Sequence, residues 1–467
     1  MLRRVRRHVG WWVAAALVLA GGAGCARSAP DVIVILVDTL RADRLAPGGA
    51  RKGLTPFLDS LAATGVVFSN AYSPTSWTNP AVASLFTSRY PSQHHVVQFD
   101  SVLADDEVTL ADRLHGAGYR SLGVVGNFRL FERFGFAQGF EVWNSHLGEG
   151  LLVGKVSAKR VTQDTFAYYD QFFAPYRHTK WTRRRRPMLI YLHFMEPHAP
   201  YDPPQHVRRR VAGPPPPGVD DAEANAKLVD IKRWFELSPA EVERLRALYD
   251  AEVATLDARL ARLFDGLRER GLLDRAIVVV TADHGEEFRE HGGLQHGNTL
   301  YQESVRIPLV ITGPGLPAGR VVTDQVSLLD VAPTVLELLG LPPEPRFEGR
   351  SLLSHLGGGE AADVVLQLLP TGQRFDVRTH AAGLVHEGVK LLVPPAGSGR
   401  SPELYDLRDD PREARSDPPP AIAAQTSALE ARLTAREDAL AAEAGVVQRG
   451  SLDESERARL RALGYAD

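Results

Sequence analysis

Residues 276–297, AIVVVTADHGEEFREHGGLQHG, decide the fold class of this chain. The β-branched run at 277–280 predicts a buried parallel strand. The strand runs directly into Asp283 and His284, and open α/β sheets hold their chemistry beyond the carboxyl ends of such strands. A carboxylate and an imidazole at this place suit a divalent cation. The pair alone predicts little, because a polar strand end is an ordinary feature.

A second segment near the front of the chain supplies the matching half of a site. Residues 31–37, DVIVILV, form another nearly continuous apolar run, and it ends in Asp38. Two buried parallel strands would each bring an aspartate to the same edge of one sheet. For Asp38 alone, the alternative is a helix N-cap after the strand. Its pairing with Asp283 and His284 favours a metal site.

The third element lies between these two strands. Residues 73–91, SPTSWTNPAVASLFTSRYP, predict a helix from Pro80 to about Thr87, with Asn79 as its N-cap. Thr78 would then stand just before the helix, beside backbone N–H groups and the positive end of the helix dipole. This position suits a hydroxyl that attacks an anionic ester, and a coordinated metal would help it lose its proton. An isolated threonine here would be only a turn residue.

The remaining patterns alternate between strand and helix, as a doubly wound sheet requires. Strand patterns lie near Val32, Ser121, Leu189 and Ile277, and helix patterns cover residues 55–63, 108–117 and 239–270. Residues 201–220 are rich in proline, so we expect a loop over the mouth of the site. Residues 422–444 again have a helical pattern.

Several segments, in order along the chain, carry a resemblance to a known family. They are VDTLRADRL at 37–45, WTNPAVASLFTSRYPSQHH at 77–95, HFMEPHAPYDPP at 193–204, YDAEVATLDARLARL at 249–263, YQESVRIPLVITGPG at 301–315, VSLLDVAPTVLELLGLP at 326–342, ELYDLRDDPRE at 403–413 and RLRALGY at 459–465. Together with residues 283–285 they resemble the sulfatase family of the alkaline phosphatase superfamily over almost the whole chain. The resemblance implies an α/β fold with a doubly wound, mostly parallel sheet flanked by helices. It also implies a catalytic domain at 31–341 and a smaller C-terminal α+β subdomain at 342–467, with a short antiparallel sheet around 380–405 and terminal helices.

The resemblance implies a role for each residue that falls on a site position of the family. Metal ligands would be Asp38, Thr78, Asp283 and His284, and catalytic residues would be Thr78 as nucleophile, His198 and His296. Substrate-binding residues would be Arg41, Asn127, Arg129 and His198. In relatives, the position near His296 carries a lysine or histidine that contacts the ester or assists the leaving group.

The chain departs from the family at the nucleophile. Typical sulfatases carry Cys-x-Pro-Ser-Arg, whose cysteine is converted to formylglycine, whereas residues 78–82 here read TNPAV. With no cysteine or serine to oxidise, a formylglycine mechanism is not expected. A threonine resembles the branch that transfers phosphoethanolamine or phosphoglycerol, and other phosphoester-cleaving relatives. Residues 126–129, GNFR, stand where relatives have Gly-Lys-Trp-His, and Thr39 replaces the second aspartate of many sulfatases.

The implied ligand set describes one divalent metal ion. Mn²⁺ or Zn²⁺ is favoured, with Ca²⁺ or Mg²⁺ as alternatives, because His284 supplies nitrogen where a hard cation prefers oxygen. The leading expectation is a metal-dependent hydrolase that cleaves sulfate or phosphate esters of a small molecule, glycan or lipid through a covalent Thr78 intermediate. The alternatives are a phosphoethanolamine- or phosphoglycerol-type transferase of the cell envelope, and a non-catalytic lipoprotein that binds anionic ligands.

The first residues predict export. Residues 1–25 have a basic start and an apolar centre too short for a transmembrane helix, as in a bacterial export signal of lipoprotein type. Cys25, the only cysteine, excludes an intramolecular disulfide and is the expected lipidation site, with an ordinary signal peptide cut nearby as the alternative. We therefore expect a lipoprotein of the cell envelope, anchored to the membrane surface. The formal net charge of −3 gives no indication of a nucleic-acid partner.

Overall fold

The computed structural model describes residues 29–46, 53–127, 129–145, 156–177, 185–369, 381–415, 418–443 and 447–450. The expected signal segment, with Cys25, lies outside these residues. Within them, no helix is both long enough and apolar enough to cross a membrane.

The strands are numbered here in chain order. They are β1 (Val32–Val37), β2 (Val66–Tyr72), β3 (Ser101–Val102), β4 (Arg120–Val125), β5 (Val142–Asn144), β6 (Met188–Phe194), β7 (Ile277–Ala282), β8 (Glu287–Phe288), β9 (Leu294–Gln295), β10 (Arg306–Ile307), β11 (Leu309–Thr312), β12 (Arg320–Ser327), β13 (Val364–Gln367), β14 (Ala382–His386), β15 (Val389–Val393), β16 (Glu403–Asp406) and β17 (Gln448–Arg449).

The α-helices follow the same convention. They are α1 (Pro56–Ala62), α2 (Thr78–Thr87), α3 (Pro91–His94), α4 (Leu110–Gly116), α5 (Ala158–Tyr168), α6 (Gln205–Val211), α7 (Asp221–Val229), α8 (Pro239–Glu269), α9 (Gln302–Val305), α10 (Val331–Leu338), α11 (Leu353–Leu356), α12 (Pro420–Ala423) and α13 (Thr426–Ala442).

One large sheet forms the centre of the molecule and confirms the expected fold class. Its order is β10-β2-β11-β7-β1-β6-β4-β5, with β12 also paired to β2. Strands β7, β1, β6, β4 and β5 are parallel, whereas β11 is antiparallel to both of its neighbours. Every residue of β1, β6 and β7 is buried, which explains why these strands are continuous apolar runs.

The three helical segments predicted at 55–63, 108–117 and 239–270 correspond to α1, α4 and α8. The longest is α8, with 31 residues, and it begins at a capping box formed by Ser238 and Glu241. It packs against α1, α5, α6 and α7. The C-terminal part contains the expected antiparallel sheet, in the order β13-β14-β15-β16. The helical pattern predicted for residues 422–444 corresponds to the end of α12 and to α13, which are separated by a turn at 424–425.

The structure corrects two local predictions. Helix α2 begins at Thr78 rather than Pro80, and its N-cap is Trp77 rather than Asn79. A proline is compatible with either start, because N–H groups in the first turn have no partner within the helix. Residues 201–220 are not entirely loop, since α6 lies among them and packs Val207 on α8. The prolines flank this short helix and do not interrupt it.

Candidate active site

The register of the central strands brings the two predicted aspartates together. Val37, the last residue of β1, pairs with Ala282 at the end of β7, so Asp38 and Asp283 follow at the same sheet edge. Thr39, which follows Asp38, has a φ of 57°, in the left-handed region. Its N–H donates to Oδ1 of Asp283 at 3.2 Å, and the N–H of His284 donates to the same oxygen at 2.9 Å.

Asp38 is held through one oxygen only. Its Oδ2 accepts a hydrogen bond from Nδ2 of Asn127 at 3.0 Å and lies 3.3 Å from Nε2 of His193. The other ring nitrogen of His193 lies 3.2 Å from the hydroxyl of Tyr191. Oδ1 of Asp38 and Oδ2 of Asp283 are buried and have no hydrogen-bond partner within the described residues. Each aspartate therefore has one carboxylate oxygen that is available to bind a ligand.

His284 and Thr78 complete this arrangement. Nε2 of His284 lies 3.4 Å from Oδ2 of Asp283, 3.8 Å from Oδ1 of Asp38 and 3.3 Å from Oγ1 of Thr78. Nδ1 of His284 lies 3.0 Å from the carbonyl oxygen of Gly285, which can only accept. Nδ1 therefore carries the proton, and Nε2 presents its lone pair to the other three groups. A Cβ at Gly285 would collide with the carbonyl oxygen of Glu303, so this turn requires glycine.

This pocket fits a divalent cation. Two buried carboxylate oxygens without partners are costly to leave, and a bound cation removes that cost. Burial alone would raise the pKa of Asp38, but the charge of His198 and the hydrogen bond from His193 hold it below its ordinary value. Burial and the charge of Asp38 raise the pKa of Asp283. Carboxylate and imidazole groups are common ligands of divalent metal ions.

His193 is a site residue that we did not predict from the sequence. Among the described residues, Asp38, His193 and Asp283 form a group whose ligand atoms lie within 4.8 Å of one another. Nε2 of His193 faces Oδ2 of Asp38, the oxygen that Asn127 also contacts. We therefore interpret His193 as a residue that orients the aspartate. The available signal was its place one residue before the end of β6, the neighbour of β1.

Thr78 lies in the first turn of α2, where backbone N–H groups have no partner within the helix. The first intrahelical bond runs from the N–H of Ala81 to the carbonyl of Trp77. The amide side chain of Asn79 is fully buried, and neither of its polar atoms has a hydrogen-bond partner within the described residues. The end of α2 can therefore hold the oxygens of an anionic ester beside the threonine hydroxyl.

Of the two predicted catalytic histidines, His296 lies beside His284 and His198 lies beside His296. The ring centroid of His296 is 4.4 Å from that of His284 and 5.1 Å from that of His198. Nδ1 of His296 lies 2.8 Å from Oε1 of Glu286. Burial and the charge of Arg129 lower the pKa of His296 to about 4, against the opposing effect of Asp38. The structure thus brings both histidines to the metal pocket.

The predicted arginines occupy different environments. Arg129 is buried, and its guanidinium lies 4.3 Å from the ring centroid of Phe99. Arg41 is also buried, but it forms ion pairs with Asp43 at 2.8 Å and Glu290 at 2.6 Å. These pairs orient its guanidinium towards two acids, so a substrate role for Arg41 stays a prediction without a supporting contact.

Comparison with known proteins agrees with the resemblance. The family model described as Sulfatase matches residues 30–341, and that of the N-sulphoglucosamine sulphohydrolase C-terminal region matches residues 290–438. Choline-sulfatase of Rhizobium meliloti (strain 1021) is 27% identical over 430 residues, which are 82% of this chain and 81% of that protein. Arylsulfatase K of Homo sapiens is 25% identical over 448 residues, 85% of this chain and 81% of that one.

Solved structures share the fold. The structure of BT4656 with its substrate D-glucosamine-2-N,6-O-disulfate has a TM-score of 0.70 at 19% identity, covering 88% of this chain and 98% of that one. Phosphonate monoester hydrolase from Silicibacter pomeroyi has a TM-score of 0.67 at 22% identity, covering 88% and 95%. Because the Sulfatase family model spans most of the chain, the protein belongs to the sulfatase family and is a hydrolase of sulfate or phosphate esters.

Proposed function

We propose that this hydrolase works through a covalent intermediate on Thr78, next to one divalent metal ion held by Asp38, Asp283, His284 and Thr78. One observation carries the proposal. The hydroxyl of Thr78, Nε2 of His284 and two carboxylate oxygens that have no hydrogen-bond partner among the described residues converge in one buried pocket. Members of the family are metal-dependent, and the pocket offers a suitable donor set. When bound, the cation would supply positive charge that favours loss of the threonine proton.

The chain's own residues account for two displacement steps. In the first, Oγ1 of Thr78 bonds to sulfur or phosphorus while the bond to the ester oxygen breaks, and the alcohol leaves with the proton that the threonine loses. In the second, the oxygen of water bonds to the same atom while its bond to Oγ1 of Thr78 breaks, and a proton from the water returns to Oγ1. Asn79 and the first N–H groups of α2 lie where the charged oxygens would be held. We assign the transfer of the proton to His198 and His296, and the ring contacts of His296 with His198 and His284 support this role.

The names of the relatives support a substrate class. They include sulfatases acting on choline sulfate or sulfated sugars and hydrolases of phosphonate monoesters. We propose a small-molecule or glycan ester as the substrate, with a lipid ester as an alternative. Transfer to an acceptor alcohol instead of water is the second candidate, because it would use the same threonine intermediate. Anchoring through Cys25 in the cell envelope stays a prediction of the sequence.

The proposal is tested by assaying purified protein on aryl sulfate, aryl phosphate, phosphodiester and phosphonate monoester substrates. The protein is stripped of metal and then reloaded with Mn²⁺ or Zn²⁺. We expect turnover only after reloading, and Thr78→Ala should lower kcat by roughly three orders of magnitude or more. Thr87→Ala is the matched control, because this threonine is at the other end of α2 and donates to Ala83 within the helix.

Each alternative has its own outcome. An intermediate that accumulates in water and turns over only with added alcohol would favour transfer. Metal binding without turnover on any substrate would favour a binding protein. Full activity in Thr78→Ala would refute the proposed nucleophile.

A further inference from the structure

Glu286 is a buried carboxylate at the site for which the mechanism above has no role. It lies two residues after His284, and its side chain is fully buried. Its two oxygens contact different partners: Oε1 lies 2.8 Å from Nδ1 of His296, and Oε2 accepts the hydroxyl of Tyr201 at 2.9 Å. A buried carboxylate with both oxygens engaged in this way is held in one orientation.

The surroundings of Glu286 are also fixed. Its N–H donates to the carbonyl of Glu303 at 2.9 Å, and its own carbonyl accepts from Nη1 of Arg41 at 2.9 Å. The backbone N–H of Tyr201 donates to Oδ1 of Asn225 at 2.7 Å, and Nδ2 of Asn225 donates to the backbone carbonyl of Tyr201 at 3.0 Å. The Tyr201 ring packs against Tyr249 and Phe288. Both ends of the Tyr201–Glu286 contact are therefore anchored in separate elements.

This geometry restricts what His296 can do. Oε1 of Glu286 and Nδ1 of His296 lie 2.8 Å apart and share one proton, so this contact occupies Nδ1 of His296. The same contact fixes the plane of the ring beside His284 and His198. Exchange of a proton with the ester is then left to Nε2, the nitrogen on the opposite side of the ring.

We propose that Glu286 is a positioning residue that sets the tautomer and orientation of His296 for the leaving alcohol. This inference rests on the proposed hydrolysis through Thr78. The same logic holds where a carboxylate orients a histidine that ligates metal or acts as a base. It explains why an acid is kept buried at this place, beside a histidine whose ring already contacts two others.

A double-mutant cycle tests the inference. Metal-loaded wild type, Glu286→Gln, His296→Ala and the double variant are compared on an alkyl ester and on a 4-nitrophenyl ester. We expect Glu286→Gln to lower kcat about 10- to 100-fold on the alkyl ester and much less on the 4-nitrophenyl ester, whose alcohol needs no proton to leave. KM should change little. In the His296→Ala background the same substitution should have almost no further effect, because the two residues act as a unit.

Further measurements separate a structural role from a positioning one. Tyr201→Phe removes the other hydrogen bond to Glu286 and leaves the His296 contact in place, so its effect should be smaller. Imidazole ¹⁵N NMR should show Nδ1 of His296 protonated in the wild type, and this preference should weaken in Glu286→Gln.

An equal loss from Glu286→Gln in both backgrounds, or no tautomer preference in the wild type, would overturn the inference. If Thr78→Ala kept activity, the proposed nucleophile would fail while the NMR result still decided the role of Glu286.

Discussion

At the scale of single residues, Asp38 shows how the site is prepared for a cation. Asn127 and His193 both contact Oδ2, so Oδ1 is the oxygen directed at His284. Tyr191 in turn contacts the other nitrogen of His193 from within a cluster of aromatic rings. Partners of this kind orient a ligand without binding the metal themselves.

Replacing His193 should therefore weaken metal binding rather than abolish the fold. We expect His193→Ala to lower the affinity for Zn²⁺ or Mn²⁺ about 10- to 100-fold, measured by calorimetric titration of the metal-free protein. Tyr191→Phe removes only the more distant hydroxyl and is the matched control, with a smaller effect. Unchanged affinity in His193→Ala would show that Asp38 needs no such support.

Residue identity allowed some of these contacts to be predicted, and register decided the others. The meeting of Asp38, Asp283 and His284 with Thr78 follows from strand ends and a helix start, which are visible in the sequence. His193 and Glu286 were missed because their roles depend on which strand and loop lie beside them. The ion pair of Arg41 with Glu290 was equally hidden, since Glu290 approaches from a distant segment.

At the scale of elements, the segment after β7 is tied to the C-terminal part by His291. Its Nδ1 lies 2.7 Å from Oε1 of Glu303, and its Nε2 lies 2.9 Å from the carbonyl oxygen of Glu413. Both neighbours are acceptors, so both ring nitrogens carry protons and the ring is charged. Burial opposes the charge, but the hydrogen bond and charge of Glu303 raise the pKa of His291 to about 9.

This shift predicts a pH dependence of stability. The folded state binds the His291 proton more tightly than the unfolded chain, whose histidines titrate near their ordinary value of about 6.5. The contribution is complete below that pH and is lost as the pH rises through about 9. Thermal melting should show a larger fall in Tm between pH 6.5 and 9.5 for wild type than for His291→Gln. The exposed His115→Gln should leave the wild-type slope unchanged, whereas equal slopes in wild type and His291→Gln would contradict the assignment.

The elements themselves were predictable to different degrees. Continuous β-branched runs identified β1 and β7, because strands buried on both faces leave no polar alternation. The first turn of α2 was misplaced by two residues, since Trp77, Thr78 and Asn79 can each precede a helix that tolerates Pro80 in its first turn. Helix α6 was missed because it is short and flanked by prolines, and its stability comes from packing Val207 on α8.

At the scale of the whole molecule, a buried ion pair within the C-terminal part holds the glutamate that contacts α9. Nζ of Lys390, on β15, lies 2.7 Å from Oε1 of Glu413, and both side chains are fully buried. Oε2 of Glu413 accepts the N–H of Gln302, at the start of α9. The resemblance to the family implied the antiparallel sheet, but its docking depends on single residues that are far apart in the chain. The hydrophobic periodicity of the sequence does not indicate which residues form such pairs.

Removing one charge of this ion pair should destabilise the fold more than removing both charges. Lys390→Met leaves Glu413 buried with no counter-charge and should cost about 3–5 kcal/mol in the free energy of unfolding. Lys390→Met with Glu413→Gln keeps an acceptor for Gln302 and should recover most of that loss. Urea unfolding of the two variants measures the difference. A double variant no more stable than Lys390→Met would show that the unpaired charge of Glu413 is not the cause of the loss.

The central claim is that Thr78 carries the group taken from the ester. Metal-loaded protein is mixed with an aryl sulfate or aryl phosphate, quenched in acid during turnover and digested, and its peptides are analysed by mass spectrometry. We predict a sulfated or phosphorylated peptide containing Thr78, with fragmentation placing the group on that residue, and no adduct in Thr78→Ala or without metal. Turnover with an unmodified Thr78 peptide, or an adduct on another residue, would contradict the account.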